Sequence, residues 1–156
     1  MQRHKTNRNH RICYAPLIKS KKVANEIAGN GSKALTSTGK MPCPSFETPI
    51  EACNVGSKLR TVKDSVCSNC YADSGFYKVY ERSIKLAQIR RMEQSLDNPM
   101  WVDAMVKLID MPYFRWFSAG DIHNMAQWRR IMAVCELTPQ TKHWIPTREY
   151  QLIGAY

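Results

Sequence analysis

Residues 113–147 decide the fold, and they read YFRWFSAGDIHNMAQWRRIMAVCELTPQTKHWIPT. The aromatic-rich start, residues 113–117, is typical of a short strand, and a turn at residues 118–121 ends it. Residues 124–136 then place apolar side chains at helical spacing, and residues 143–147 show a second strand pattern. A strand, a helix and a strand in succession predict parallel pairing of the two strands across a right-handed crossover.

Two helices are predicted ahead of this unit. Residues 73–96 have aromatic and apolar side chains at helical spacing, with basic residues elsewhere around the axis. Asn98-Pro99 ends this helix, and the proline suits the first position of a second helix over residues 99–110. From Cys70 onward the predicted order is helix, helix, strand, helix, strand. This order indicates a small single α/β domain with a short, partly parallel sheet.

The segment upstream is irregular and rich in cysteine. Residues 41–70 hold four cysteines and three prolines and show little periodicity. An irregular segment of this length is uncommon in a compact domain unless something else orders it, and a bound metal would supply that ordering free energy. Residues 29–41 have the composition of a loop, and residues 12–28 predict a short strand or turn that joins the core.

Positive charge is concentrated near the N-terminus. The net charge is +10, yet residues 1–40 alone carry nine Lys or Arg and one acid, while the rest of the chain is close to balance. Such an arm either contacts nucleic-acid phosphates or remains a solvated tail. No apolar stretch is long enough for a membrane-spanning helix, and no signal-peptide pattern opens the chain. We therefore expect neither membrane insertion nor secretion.

Six cysteines in a chain without a secretion signal point to metal binding, because reducing compartments disfavour disulfides. The C-x-x-C pair can reach one metal or one cluster from a single turn, and two further thiolates complete a four-cysteine set. The four candidate ligands, separated by nine, thirteen and two residues, are Cys43, Cys53, Cys67 and Cys70.

Thiolates accept zinc as well as iron–sulfur clusters, so both interpretations stay open. The chain has a single C-x-x-C knuckle, whereas zinc sites usually use two knuckles or a mixture of cysteine and histidine. His123 or His143 could replace a cysteine, but a lone histidine is more often an ordinary hydrogen-bonding residue. The spacing therefore favours a 4Fe–4S cluster over zinc. Cys135 falls on the apolar face of a predicted helix and is expected in the core.

Several ordered motifs surround the C-x-x-C pair. The positions are Cys43-Pro44, Cys67, Cys70, Tyr71-Ala72, Gly75, Tyr77, the turn Ser118-Ala119-Gly120-Asp121, and Thr147-Arg148. They resemble the phage family named after gene product 88, in which a Cys-Pro turn precedes a cysteine pair followed by Tyr-Ala and a helix. The resemblance implies an iron–sulfur protein of viral origin, which would act in the cytoplasm of the infected host cell.

A more distant similarity is to radical S-adenosylmethionine enzymes, in which three cysteines hold a 4Fe–4S cluster and a turn after the second strand holds the methionine amino group. Ser118, Gly120 and Asp121 lie where that turn would be, so the similarity implies that they contact S-adenosylmethionine. The chain departs from that class because it lacks the C-x3-C-x2-C loop, offers a fourth cysteine and is too short for the usual barrel. Asp121 has a second interpretation, as the N-cap of the helix that begins near residue 124.

The chain therefore divides into a basic N-terminal arm with a first short element, residues 1–28, and an iron–sulfur α/β domain, residues 29–156. The leading interpretation is a 4Fe–4S protein with a redox, structural or regulatory role, whose arm either contacts nucleic acid or remains a solvated tail. The alternatives are a reduced radical S-adenosylmethionine-like enzyme and a four-cysteine zinc protein that binds nucleic acid. Whether the protein is an enzyme stays open, as does its oligomeric state.

Overall fold

A computed structural model describes residues 18–37, 39 and 41–155. Within these ranges the chain forms seven α-helices, two 3-10 helices and three strands. None of the helices in these ranges is both long and apolar enough to cross a membrane. The helices are α1 (Lys21–Gly29), α2 (Asn54–Leu59), α3 (Gly75–Val79), α4 (Glu81–Asp97), α5 (Trp101–Leu108), α6 (Met125–Leu137) and α7 (Tyr150–Gly154), with 3-10 helices at Ile50–Ala52 and Tyr71–Asp73. The strands are β1 (Ser45–Phe46), β2 (Tyr113–Trp116) and β3 (Lys142–Trp144).

The sheet is parallel throughout, in the order β1-β2-β3. Phe46 pairs with Trp116 across the first ladder, and Phe114 pairs with His143 across the second. The parallel pairing predicted for the last two strands is therefore confirmed, with α6 in the connection between them. Since all strands run the same way, their carboxyl ends meet at one edge of the sheet, where open α/β sheets bind ligands.

Aromatic side chains on one side of this sheet build the core. Phe46, Phe114 and Trp116 are buried, and Trp101 of α5 packs on them with its ring centroid 5.6 Å from that of Phe46. Full burial of a large apolar side chain contributes about 1.5–3 kcal/mol to stability. The aromatic strand therefore anchors the fold, as its sequence predicts.

The helices after Cys70 follow the predicted order with one difference. The predicted helix over residues 73–96 is divided at Tyr80 into the short α3 and the long α4, because the Tyr80 backbone departs from helical geometry. The helices predicted over residues 99–110 and 124–136 correspond to α5 and α6. α7 was not predicted, since five residues carry too little periodicity to stand out.

In the described part of residues 12–28 the predicted strand or turn is wrong, because α1 occupies Lys21–Gly29, while residues 12–17 lie outside the described ranges. The Ser20 side chain accepts a hydrogen bond from the Lys22 N–H, which caps the helix at its first turn. Ala24 and Ala28, one turn apart, are fully buried. Small residues at this spacing let α1 approach α5 closely. In the sequence, however, buried alanines give only a weak hydrophobic periodicity. The division of the chain after residue 28 stays a prediction, and Cys13 and residues 1–11 lie outside the described ranges.

The cysteine-rich segment is more regular than its composition indicates. β1 and α2 both fall within residues 41–70, although each is too short to be recognised from periodicity. Only the stretch from Arg60 to Cys70 is built of consecutive turns. Those turns are closed locally, since the Ser65 hydroxyl donates to the Leu59 carbonyl at 2.5 Å and accepts from the Ser68 N–H at 3.0 Å.

Candidate metal centre

A cavity of about 340 Å³ lies at the carboxyl edge of the sheet. Three of the candidate ligands line it together with the turn that follows β2. We call it the thiol cavity, and its chemically active lining consists of Cys53, Cys67, Cys70, Arg60, Tyr71, Arg115, the turn Ser118–Asp121 and Arg148. Its volume is in the range of roughly 300–1,000 Å³ that is typical of sites for small molecules and cofactors.

The turn after β2 is shaped by tight backbone packing. Phe117 and Gly120 both have positive φ angles, of 55° and 78°. A Cβ atom at Gly120 would overlap Thr48, including a separation of 2.7 Å from its carbonyl carbon. Only glycine therefore fits at this position, since the backbone conformation and the contact with Thr48 each exclude a side chain. The close contact fixes the turn against the segment that follows β1.

Cys53 is positioned at the start of α2, where its backbone carbonyl accepts the Ser57 N–H. A Cβ atom at Gly56, one turn into the helix, would lie 3.0 Å from Cys53 Cβ, 3.8 Å from Cys53 Sγ and 3.7 Å from Cys67 Sγ. Glycine at this position thus leaves open the space between two thiols. The helix itself is tied to the end of the chain, because the Val55 N–H donates to Glu149 Oε1 at 2.8 Å.

Cys67 and Cys70 come from the run of turns after α2. Tyr71, directly after the pair, donates a hydrogen bond from its hydroxyl to the Ser118 carbonyl. Arg115 of β2 in turn donates to the Tyr71 hydroxyl at 3.4 Å. The C-x-x-C pair is therefore connected to the β2 turn by a side chain that also lines the thiol cavity.

Cys43 is not among the residues that line the thiol cavity. It stands two residues before β1, at the amino edge of the sheet, whereas the cavity lies beyond the carboxyl edge. The structure thus brings Cys53, Cys67 and Cys70 to one cavity, and the four-cysteine ligand set stays a prediction. Among the described residues, no three Cys, His, Asp or Glu side chains converge closely enough to hold a single metal ion.

The thiol cavity is rich in positive charge. Three guanidinium groups line it, those of Arg60, Arg115 and Arg148, against the single carboxylate of Asp121. Burial raises the pKa of the Cys53 thiol to about 12, and the nearby Asp121, Cys70 and Cys67 add to the shift. Cys53 is consequently a neutral thiol at pH 7, and a metal that binds it must displace its proton.

Asp121 is held on both oxygens by backbone donors. Its Oδ1 accepts the Ile122 N–H and its Oδ2 accepts the Arg148 N–H, each at 2.8 Å. Burial raises its pKa above the usual range despite these hydrogen bonds. The N-cap of α6 is Asn124, whose side chain accepts the Gln127 N–H, so the interpretation of Asp121 as that cap is wrong. Asp121 instead ties the β2 turn to the segment after β3.

A family model described as gene product 88 matches residues 13–155, nearly the whole chain. The chain belongs to the gene product 88 family. The match includes all three thiols of the cavity, the β2 turn and Arg148. No curated protein and no solved structure is similar enough to the chain to match it.

The sequence of this gene product 88 family member did not predict a buried polar network around Glu47. Glu47, one residue after β1, accepts hydrogen bonds from the Ser118 hydroxyl at 2.6 Å and the Tyr77 hydroxyl at 2.9 Å. Its other oxygen faces Arg91 of α4 at 3.4 Å, with both side chains almost fully buried. The sequence carried no clear signal for it, because the two-residue strand β1 that precedes Glu47 is too short to be recognised. The Ser118 side chain is thus committed to the protein interior, while its backbone borders the cavity.

The remaining candidate residues are not among those that line the thiol cavity. His143 is in β3, where its Nδ1 accepts the Trp116 Nε1–H at 3.2 Å and its Nε2 shares a hydrogen bond with the Thr138 hydroxyl. His123 is not in the cavity lining, although Asn54 of α2 donates to its carbonyl at 2.9 Å. Cys135 packs against the core as predicted, and burial raises the pKa of its thiol to about 11. Neither histidine supplements the three thiols.

Proposed function

We propose that this family member binds one 4Fe–4S cluster in the thiol cavity through Cys53, Cys67 and Cys70. The observation that carries the proposal is that these three cysteines and the β2 turn line one cavity at the carboxyl edge of a parallel sheet. The expected setting is the cytoplasm of the infected host cell, where thiols remain reduced.

Three features of the cavity suit such a group. A Cβ atom at Gly56 would contact two of the thiols and crowd Cys53 Cβ at 3.0 Å, so glycine keeps this space free. The guanidinium groups of Arg60, Arg115 and Arg148 offset the negative charge that thiolate ligands and sulfide ions bring. Tyr71, half-exposed beside Cys70, limits the access of solvent, which is one of the factors that set a cluster's reduction potential.

The cluster would supply one-electron chemistry. The protein's residues would fix the position of the cluster and of any molecule that binds to it. Three cysteine ligands leave one iron of a cubane without a thiolate. The β2 turn and Arg148 line the same cavity as the cysteines. This arrangement favours a second candidate function, that of a reduced radical S-adenosylmethionine-like enzyme. In it the Arg148 guanidinium would bind a carboxylate, while Asp121 holds the turn in place.

The cluster is tested by anaerobic purification, a visible spectrum, and counts of iron, sulfide and zinc on the same sample. We expect a brown protein with broad absorption and about four irons and four sulfides per chain. A colourless protein with stoichiometric zinc would overturn the cluster and support the zinc alternative.

The second candidate function is tested separately on cluster-loaded protein. Titration with S-adenosylmethionine, followed by electron paramagnetic resonance of the reduced sample, should change the cluster signal if the ligand reaches the open iron. Arg148→Gln should weaken that binding, whereas Arg82→Gln, which changes an exposed arginine of α4, should leave it unchanged. Full cluster loading with no response to S-adenosylmethionine would leave an electron-transfer or structural role.

A further inference from the structure

Two neighbouring strands present an exposed row of aromatic and basic side chains. In the β2–β3 ladder Tyr113 pairs with Lys142 and Arg115 pairs with Trp144. Paired residues, and residues two apart along one strand, point to the same side of a sheet. Tyr113, Arg115, Lys142 and Trp144 therefore share one side, which we call the outer sheet face.

The outer sheet face contrasts with the opposite side of the same strands. Phe114 and Trp116 are buried in the core, which accounts for the alternation along β2. On the outer sheet face, Tyr113 is 54% exposed and Trp144 is 55% exposed. Packing of the described core does not require these two large rings, and contiguous exposed aromatics commonly mark a binding surface.

The charges on this face are all positive. The Arg115 guanidinium carbon lies 4.7 Å from the centroid of the Trp144 ring, and the Lys142 ammonium lies 5.7 Å from that of Tyr113. In the part of the chain that the structure describes, neither Arg115 nor Lys142 has a carboxylate within ion-pair distance. The buried Arg115 Nε also has no hydrogen-bond partner there. Two aromatic rings and two cations without a paired carboxylate thus form one surface. Such a surface is complementary to an anion that carries planar rings.

We propose that the outer sheet face binds single-stranded nucleic acid. Trp144 and Tyr113 stack on bases, while Lys142 and Arg115 contact phosphates. With a rise of roughly 3.3 Å per residue and strands about 4.8 Å apart, the two rings are separated enough to take different bases. Aromatic platforms beside basic groups are the general means of binding single strands without sequence preference. The net charge of +10 adds a favourable long-range attraction.

The face reads only features that DNA and RNA share, namely base surfaces and phosphates, so both should bind with similar affinity. Duplex DNA should bind more weakly, because its bases are stacked on one another and cannot reach Trp144. Arg115 also lines the thiol cavity, so a strand on this face would lead to the cavity. The inference does not depend on the cluster, since the four side chains belong to the sheet itself.

The test is fluorescence anisotropy with a labelled oligothymidine of about 20 nucleotides, repeated at several salt concentrations. Trp144→Ala should weaken binding by roughly 5- to 150-fold, the range expected for the loss of one stacked base. Trp144→Phe should restore most of it, because a ring is again present. Lys142→Gln should weaken binding and lower the salt dependence by about one ion.

Two variants are matched controls. Phe76→Ala removes an aromatic side chain of α3 that is 70% exposed, and Lys63→Gln removes an exposed lysine in the loop after α2. Both should bind as the wild type does. Circular dichroism on every variant confirms that folding is retained.

Three results would overturn the proposal. One is the absence of binding by the wild-type protein at low salt. Another is equal affinity for duplex and single strand, or an equal loss in Trp144→Ala and Phe76→Ala. The third is a loss of binding only when Arg3, Lys5, Arg8 and Arg11 are replaced by Gln together, with Trp144→Ala unaffected. That last pattern would assign the binding to the N-terminal arm.

Discussion

The Tyr71 hydroxyl donates a hydrogen bond to the backbone carbonyl of Ser118. Tyr71 directly follows the second cysteine of the C-x-x-C pair, and Ser118 begins the turn after β2. One side chain therefore joins the loop that supplies two thiols to the turn on the other side of the thiol cavity. This contact therefore ties the C-x-x-C loop to the β2 turn.

Removing this hydroxyl should loosen the cavity. Tyr71→Phe should lower the free energy of unfolding by about 0.5–1.5 kcal/mol, the usual net contribution of one hydrogen bond. In anaerobically purified protein it should also speed the loss of iron to a chelator, which is followed by the visible absorbance. Tyr80→Phe, at a half-exposed tyrosine between α3 and α4, is the control and should change neither quantity. Equal rates of iron loss in the two variants would show that Tyr71 does not hold the cavity together.

A methyl group at Gly120 should be strongly destabilising. Gly120→Ala places a side chain at φ 78° and against Thr48, and each effect costs about 1–3 kcal/mol. We expect a loss of at least about 2 kcal/mol in urea denaturation. Gly154→Ala is the matched control, because a Cβ atom there meets nothing within 4 Å. If the two alanine variants lose the same free energy of unfolding, the tight packing described for the turn after β2 is incorrect.

The buried Glu47 carboxylate should be far more important to stability than an exposed one. Glu47→Gln leaves the Arg91 guanidinium buried without its counter-charge, and breaking a buried pair costs about 3–5 kcal/mol. Glu51→Gln breaks the partly exposed pair with Lys85, and solvent screening makes such a pair contribute far less than a buried one. Chemical denaturation of the two variants measures the difference, and losses of similar size would contradict the buried network.

Stability should fall in mild acid because of His143. Burial lowers the pKa of this histidine, so below its ordinary pKa of about 6.5 the unfolded chain binds a proton that the folded chain does not. The stabilisation that depends on neutral His143 is fully present above that pH. As the pH falls below it, the free energy of unfolding decreases by at most about 1.4 kcal/mol per pH unit. Denaturation at pH 7.5 and 5.5 should show the loss in wild type and in His123→Gln, but less of it in His143→Gln. An unchanged pH dependence in His143→Gln would refute the assignment.

Much of the fold could be predicted from the sequence because its periodic elements are long or strongly aromatic. The aromatic run of β2 and the apolar face of α6 each identify an element without help from the rest of the chain. α1 could not be predicted in the same way, since buried alanines carry a weak hydrophobic signal. β1 has only two residues, Ser45 and Phe46, and it exists because they pair with Arg115 and Trp116 of β2, a relationship that is not local in sequence.

The sequence indicated that cysteines would gather near the C-x-x-C pair but not which ones, and the chemistry of the site stays a prediction. The spacing of Cys67 and Cys70 indicates joint ligation, and the structure brings both to one cavity with Cys53 and the β2 turn. The sequence gives no means of separating Cys43 from the other three cysteines, because its position follows from the direction of β1. Glu47 was missed for a similar reason, since its partners come from three other elements.

The central claim, a cluster held by three thiols, is tested most directly by counting iron per chain in single cysteine variants purified anaerobically. Cys53→Ala, Cys67→Ala and Cys70→Ala should each lose most of the bound iron and the visible absorbance. Cys43→Ala and Cys135→Ala should retain about four irons per chain, as a complete 4Fe–4S cluster requires. Loss of iron in Cys43→Ala equal to that in Cys67→Ala, or full retention in Cys53→Ala, would contradict the three-thiol cavity as the cluster site.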